Sequence, residues 1–236
     1  MSSQNSLTIF PYSPFKLDWG INEINFQNNS EFSSLLFHLH KLNNKEILLD
    51  DEENFVQFYT AKNLDTSSLK NLEIIGDLNS FSINTTQNLK KVFKKISQDS
   101  LLEFNDQIES LNNQINGLIF DTTSRFDGQL SYDTYANFEN LLKLKLLKFN
   151  EYGWTNFYDK ILDVINFFNE FTDKHLLITY NLHNLLDYKQ RNELNQYLNS
   201  AEISLVSFES IKFDLNMGKI NHRIFNIDED HIRFDY

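Results

Sequence analysis

Between Phe157 and Phe208 the apolar residues fall in an order that few folds accommodate. Phe157, Ile161, Leu162, Ile165, Phe168 and Phe171 recur at helical spacing, and the chain then enters His175-Leu176-Leu177-Ile178-Thr179-Tyr180, an apolar run of strand length. Residues 187–199 return to a helical pattern, and Ile203-Ser204-Leu205-Val206-Ser207-Phe208 reads as a further buried strand. Strands joined through a helix in this way pair parallel, by a right-handed crossover. The expected fold class is therefore α/β.

Upstream, Leu7-Thr8-Ile9-Phe10 reads as a short strand, and Ile21-Asn22-Glu23-Ile24-Asn25-Phe26 alternates apolar and polar as a half-buried strand does. Ser30 is the expected N-cap of a helix whose face carries Phe32, Leu35, Leu36 and Leu39 and which stops before Asn43-Asn44. Glu46-Ile47-Leu48-Leu49 and Leu72-Glu73-Ile74-Ile75 are expected interior strands, each closed by an acid, Asp50 or, one glycine later, Asp77. Asn84-Thr85-Thr86 opens a long helical segment in which Leu101, Phe104, Ile108, Leu111 and Ile115 step by three and four. Leu89, Phe93 and Ile96 are out of register with that seam, which packs either on a helix of the same chain or on another subunit. After a loop at about 122–131, Tyr135, Phe138, Leu142 and Leu146 mark a returning helix. The pattern predicts an α/β domain built from residues 1–84 and 151–236, interrupted by a helical hairpin at 85–150.

Several chemistries are closed to this chain. It has no cysteine, so disulfides and thiolate metal sites are excluded, in keeping with a reducing cytosol. Residues Met1 to Ser6 carry neither positive charge nor a signal-length apolar run, and no stretch approaches ~18 uninterrupted apolar residues. A cytoplasmic location with no membrane partner is expected. Phosphate loops need clustered glycines, yet the glycines at 20, 76, 117, 128, 153 and 218 form neither G-x-x-x-x-G-K-[ST] nor G-x-G-x-x-G. There is no nucleophile elbow, and His38 and His40, two apart on a helix, face apart. Asp77 can imitate a magnesium-coordinating acid or simply cap a turn. Absence of a catalytic motif points to a protein that binds a partner rather than an enzyme.

The formal net charge of -12 argues against general attraction to nucleic acid, so any such contact needs concentrated lysines. Lys90, Lys91, Lys94 and Lys95 cluster early in the long helix, and Lys143, Lys145 and Lys148 near the end of the returning one. Each group can meet backbone phosphates, and each also fits a plain solvated helix face. Asp50-Asp51-Glu52-Glu53 reads as a solvated acidic run and Asp228-Glu229-Asp230 as an exposed turn. Asp121, Asp127, Asp133 and Glu139 spread over the hairpin loop and the start of the returning helix. Their hard carboxylate oxygens suit Ca²⁺, although no EF-hand spacing exists, and helix capping with solvation is the alternative.

Three stretches carry a resemblance: LEIIGDLNSFSINTTQNLKKVFKKI, LLKLKLLKFNEYGWTNFYDKILDVINFFNEFTDKHLLITYN and LDYKQRNELNQYLNSAEISLVSFES. With the N-terminal strands and the late NIDED turn, the order of parts resembles the CRISPR-associated Csn-two family of type II-A systems over nearly the whole chain. The resemblance implies a head domain like that of P-loop nucleotidases, with a parallel sheet but no phosphate-binding loop, plus an inserted α-helical leg. It implies a homotetrameric ring that binds the ends of double-stranded DNA in a lysine-lined channel, supported by Ca²⁺, during spacer acquisition beside integrase proteins and the effector nuclease. By position, Lys143 and Lys148 match basic sites of the family and Lys145 is an added neighbour; the four acids lie in its acidic leg segment, with the pairing displaced by one residue. Two other expectations remain open, a divergent nucleotide-dependent enzyme and a protein-only scaffold using the 101–115 seam.

Overall fold

The computed structural model describes residues 5–44, 46, 55–59, 72–128, 130–135, 137–212 and 221–236. The expected strand at 46–49, the acidic run at 50–53 and the Gly218-Lys219 step therefore lie largely or wholly outside the described residues. The chain divides into two compact units, one of residues 1–81 with 153–236 and one of residues 82–152.

The first unit is an α/β domain. Its main sheet has six strands in the order β5 (Leu72–Asp77), β6 (Leu176–Tyr180), β7 (Ser204–Glu209), β3 (Gly20–Phe26), β8 (Arg223–Ile227) and β9 (Arg233–Asp235). The first five pair parallel and β9 closes the edge antiparallel. A second sheet, β2 (Phe15–Leu17), β1 (Asn5–Ile9) and β4 (Val56–Tyr59), is antiparallel. Leu7, Ile9 and Phe15 of the small sheet join Ile24, Phe26, Val206 and Phe225 of the large one in a single apolar core, together with Leu35 and Leu39 of α1 (Asn29–Asn43).

β3 corrects the half-buried reading. It is a central strand, paired on both sides, and all seven of its residues are buried. Its apparent outer face, Ile21, Glu23 and Asn25, lies beneath the helical layer that includes α7 (Tyr188–Ser200), so its polar groups need partners inside the protein. α1 also starts earlier than Ser30, because the Asn28 side chain accepts from the backbone N–H groups of Ser30 and Glu31. Asp77 does cap a turn, accepting from the N–H of Asn79 at 2.9 Å.

The C-terminal crossover follows the pattern of its residues. Asn156 caps α5 (Phe157–Phe171), whose Ile161, Val164, Ile165, Phe167 and Phe168 are buried, and β6 follows directly. Asp187 and Gln190 form a reciprocal capping box that starts α7, and β7 then pairs parallel with β6. Between β6 and α7 lies a four-residue helix, α6 (Leu182–Leu185).

The second unit contains α2 (Thr86–Glu103), α3 (Asn105–Thr123) and α4 (Phe138–Leu144). The expected long helix is two helices, parted at Phe104, which has φ -121° and ψ 20° and serves as C-cap of one and N-cap of the next. The 101–115 seam is interrupted there: Ile108 is buried while Leu101, Phe104 and Leu111 are exposed. The returning helix is shorter than its apolar spacing predicts, ending at Leu144, and Leu146 takes a left-handed conformation at φ 54°.

Candidate nucleic-acid interface and a buried charge cluster

On α2 the lysines and the packed residues occupy opposite sides. Asn88, Val92, Phe93 and Ser97 are buried, and successive residues turn by about 100°, which places Lys90, Lys91, Lys94 and Lys95 within roughly 140° of the helix circumference facing away from them. Lys90, Lys94 and Lys95 are exposed and Lys91 is half-buried. Lys95 meets Asp99 one turn on at 3.3 Å, a surface pair that neutralises one end of the row.

The second lysine group is differently held. Lys143 lies in the last turn of α4, 3.9 Å from Glu139, where a cation also suits the helix C-terminus. Lys145 caps the helix, and Lys148 follows it, its ammonium 5.9 Å from the ring centroid of Tyr152. All three are exposed, on a helix end and the segment that leaves it rather than on one helical face.

The four acids are not gathered. Asp121 is exposed near the end of α3, Asp127 is exposed in the following turn, Asp133 accepts from the N–H of Tyr135 at 3.0 Å, and Glu139 faces Lys143. Among the described residues no three His, Asp or Glu side chains come together in a way that holds a metal ion. Capping, ion pairing and solvation account for these carboxylates within one chain, and they do not fit a single Ca²⁺ shell there.

In the first unit, the crevice at the carboxyl ends of the strands around β3 is where open α/β sheets bind nucleotides. The helix after β3 begins with only Gln27 and Asn28 between, Asn28 takes up the first N–H groups of α1, and the Glu31 carboxylate in its first turn accepts from the Tyr12 hydroxyl at 2.9 Å. Asn25 clamps the chain leaving β7, donating to the carbonyl of Ile211 at 2.9 Å and accepting its N–H at 2.8 Å.

Beneath the helical layer lies a cluster that sequence reading missed. The Glu23 carboxylate is 4 % exposed and lies 3.0 Å from His222 Nε2, 3.7 Å from His183 Nδ1 and 3.9 Å from Arg191 Nη1. Burial alone pushes the Glu23 carboxyl up, but the donors of His183 and His222 and the charges of His222 and Arg191 outweigh it and hold it down at about 2. Two residues along the neighbouring strand from Glu23's partner Ser207, Glu209 is fully buried. Its Oε1 accepts from the Ser207 hydroxyl at 2.5 Å and from the backbone N–H of His183 at 3.1 Å. Burial and the Glu23 charge push its carboxyl up, against those hydrogen bonds, to about 7. Three polar residues, Asn22, Glu23 and Asn25, in a strand of seven were the available signal; the partners of Glu23 lie some 160 to 200 residues further on.

Comparison with known proteins agrees with this architecture. The model of the family described as CRISPR-associated protein (Cas_Csn2) matches residues 39–231. No curated protein matches the chain. Among solved structures, the crystal structure of Stu0660 of Streptococcus thermophilus is similar, with a TM-score of 0.59 at 13% sequence identity over 94% of this chain and 74% of that one. At that identity the likeness speaks to the fold alone. The family match covers most of the chain, and the protein belongs to the CRISPR-associated Csn2 family.

Proposed function

We propose that this protein binds the ends of double-stranded DNA without reading their sequence, as a ring-shaped homotetramer acting in CRISPR spacer acquisition in the cytoplasm beside integrase proteins and the effector nuclease. Family membership supplies the CRISPR role. The observation that carries DNA binding is the row of lysines on α2, segregated from the packed face in a chain whose net charge is -12. Such a row meets phosphates rather than base edges, so its binding is sequence-independent and weakens steeply with salt.

Assembly removes the conflict between an acidic chain and an anionic ligand, since a closed ring concentrates a few lysines per subunit on one channel while acids cover the outside. Large apolar side chains left exposed on the second unit, among them Leu118, Phe120, Phe126, Leu144 and Leu146, support association with further copies. No helix among the described residues is long and apolar enough to cross a membrane. The lack of a glycine-rich phosphate loop and the Asn28 side chain that takes up the first N–H groups of α1 disfavour the nucleotide-dependent reading, and no catalytic step is proposed. Because the four acids form no shell in one chain, Ca²⁺ enters only as a condition to vary. A gel-shift titration of linear duplex at low salt, with calcium or with chelator, tests the reading; a retarded complex supports it, and no complex under either condition overturns it.

A further inference from the structure

Helix α6 has no cap of its own. Asn181, the residue before it, is left-handed at φ 60° and makes no side-chain capping bond, so the first N–H groups of the helix need acceptors from elsewhere. They come from β7. The N–H of Leu182 donates to Ser207 Oγ at 3.3 Å, and the N–H of His183 donates to Glu209 Oε1 at 3.1 Å. Ser207 in turn donates its hydroxyl hydrogen to the same Glu209 oxygen at 2.5 Å. A single carboxyl oxygen therefore ties together the start of α6 and the end of β7, and the other, Oε2, is buried with no hydrogen-bond partner among the described residues.

From these contacts we infer that Glu209 is a proton-operated latch: with its carboxyl neutral it holds α6 against β7, and loss of the proton beside Glu23 loosens that attachment. The geometry assigns the proton to Oε2. A neutral carboxyl offers Oε1 as a carbonyl-type acceptor to two donors and needs only one proton on its other oxygen, whereas an ionised one spreads its charge onto a buried oxygen that no described donor meets. The groups around it are fixed. β3 contributes Glu23, α6 contributes His183, α7 contributes Arg191, and His222 stands just before β8. Arg191 and His222 lie against Glu23, and the one cationic influence on Glu209 among these groups is the pull of His183, which burial and Glu23 outweigh. Burial and Glu23 raise its titration into the neutral range, where a cell's pH can act on it.

Hydrogen exchange of the intact protein tests this directly. The amides of Leu182 and His183, compared at pH 6 and pH 8 after correction for intrinsic exchange rates, are expected to lose about tenfold of their protection at the higher pH, while the α7 amides of Leu194 and Leu198 do not change. In Glu209→Gln, an uncharged mimic of the protonated acid, the two amides should keep one protection at both pH values. Equal protection of Leu182 and His183 at pH 6 and pH 8 in the native protein overturns the proposal, whether or not the variant folds. A pH-dependent loss that survives in Glu209→Gln also overturns it, since another group is then responsible.

Discussion

The side-chain amide of Asn84 brackets the peptide of Phe149, accepting its N–H at 2.9 Å and donating to its carbonyl oxygen at 3.0 Å. Two residues on, the Glu151 carboxylate accepts from the Ser82 hydroxyl at 3.1 Å and the Ile83 N–H at 3.2 Å. The entering and leaving segments of the second unit are thus joined by these side chains. Asn84→Ala removes both hydrogen bonds to Phe149, and it should destabilise that unit by about 1–3 kcal/mol. Limited proteolysis checks this, with cleavage within residues 82–152 expected to accelerate while the α/β unit resists.

Glu23→Gln should be far more damaging than a typical surface change. It strips the negative charge from a site surrounded by His222, Arg191 and His183, and breaking a buried pair by removing one partner costs about 3–5 kcal/mol. Denaturant unfolding near neutral pH measures it. The pH dependence has a definite sign. The Glu23 carboxyl is lowered from 4.5 to about 2 in the folded protein, so its contribution is complete above about 4.5 and is lost as pH falls toward 2. That acid limb should be absent from the variant.

Gly20 opens β3 at φ 99°, and a Cβ there would lie 2.3 Å from Asn195 Oδ1 and 2.6 Å from Asn199 Nδ2. The same Asn195 oxygen accepts the N–H of Ile21 at 2.8 Å, so it cannot withdraw without leaving a buried donor unpaired. Gly20→Ala should cost about 2–4 kcal/mol through combined backbone strain and displacement of α7. A lowered unfolding midpoint with unchanged denaturant slope is the expected result.

These particulars show what the sequence discloses and what it hides. The parallel crossover from α5 to β7 is legible because each element announces itself locally, through an apolar run, Asn156 as a cap, or the Asp187 and Gln190 box. The break at Phe104 is hidden because the three-and-four stepping of apolar residues continues across it, and spacing carries no information about φ and ψ. Glu23 is hidden for a different reason: alternation cannot distinguish a solvated face from one covered by a helix whose charges arrive from distant sequence. The lysines of α2 are legible as a group, since residues three and four apart share a helical side, but Lys145 and Lys148 fall beyond the end of α4.

Light scattering bears on assembly. The account expects a mass of four chains of 28.0 kDa. Replacing the exposed Leu144 and Leu146 together by serine should lower that mass while the circular dichroism spectrum is retained, because both side chains are at least three-quarters exposed in the single chain. A native protein that is strictly monomeric counts against the ring.

Charge reversal tests each of the two lysine groups. Replacing Lys143, Lys145 and Lys148 by Glu, or Lys90, Lys91, Lys94 and Lys95 by Glu, should each abolish duplex binding at moderate salt, since every phosphate contact contributes about one unit to the slope of log affinity against log salt. Replacement of Lys41, in α1 of the other unit, should leave binding unchanged. Fluorescence anisotropy across a salt series gives both slope and affinity.

The central claim is that the protein takes hold of DNA at its ends, and competition tests it most directly. A labelled linear duplex bound by the native protein is challenged with equal masses of unlabelled linear or covalently closed circular duplex of the same sequence. The account predicts that linear competitor displaces the label and the circle does not. Equal displacement by both would contradict it, and would leave the lysines binding duplex DNA along its length.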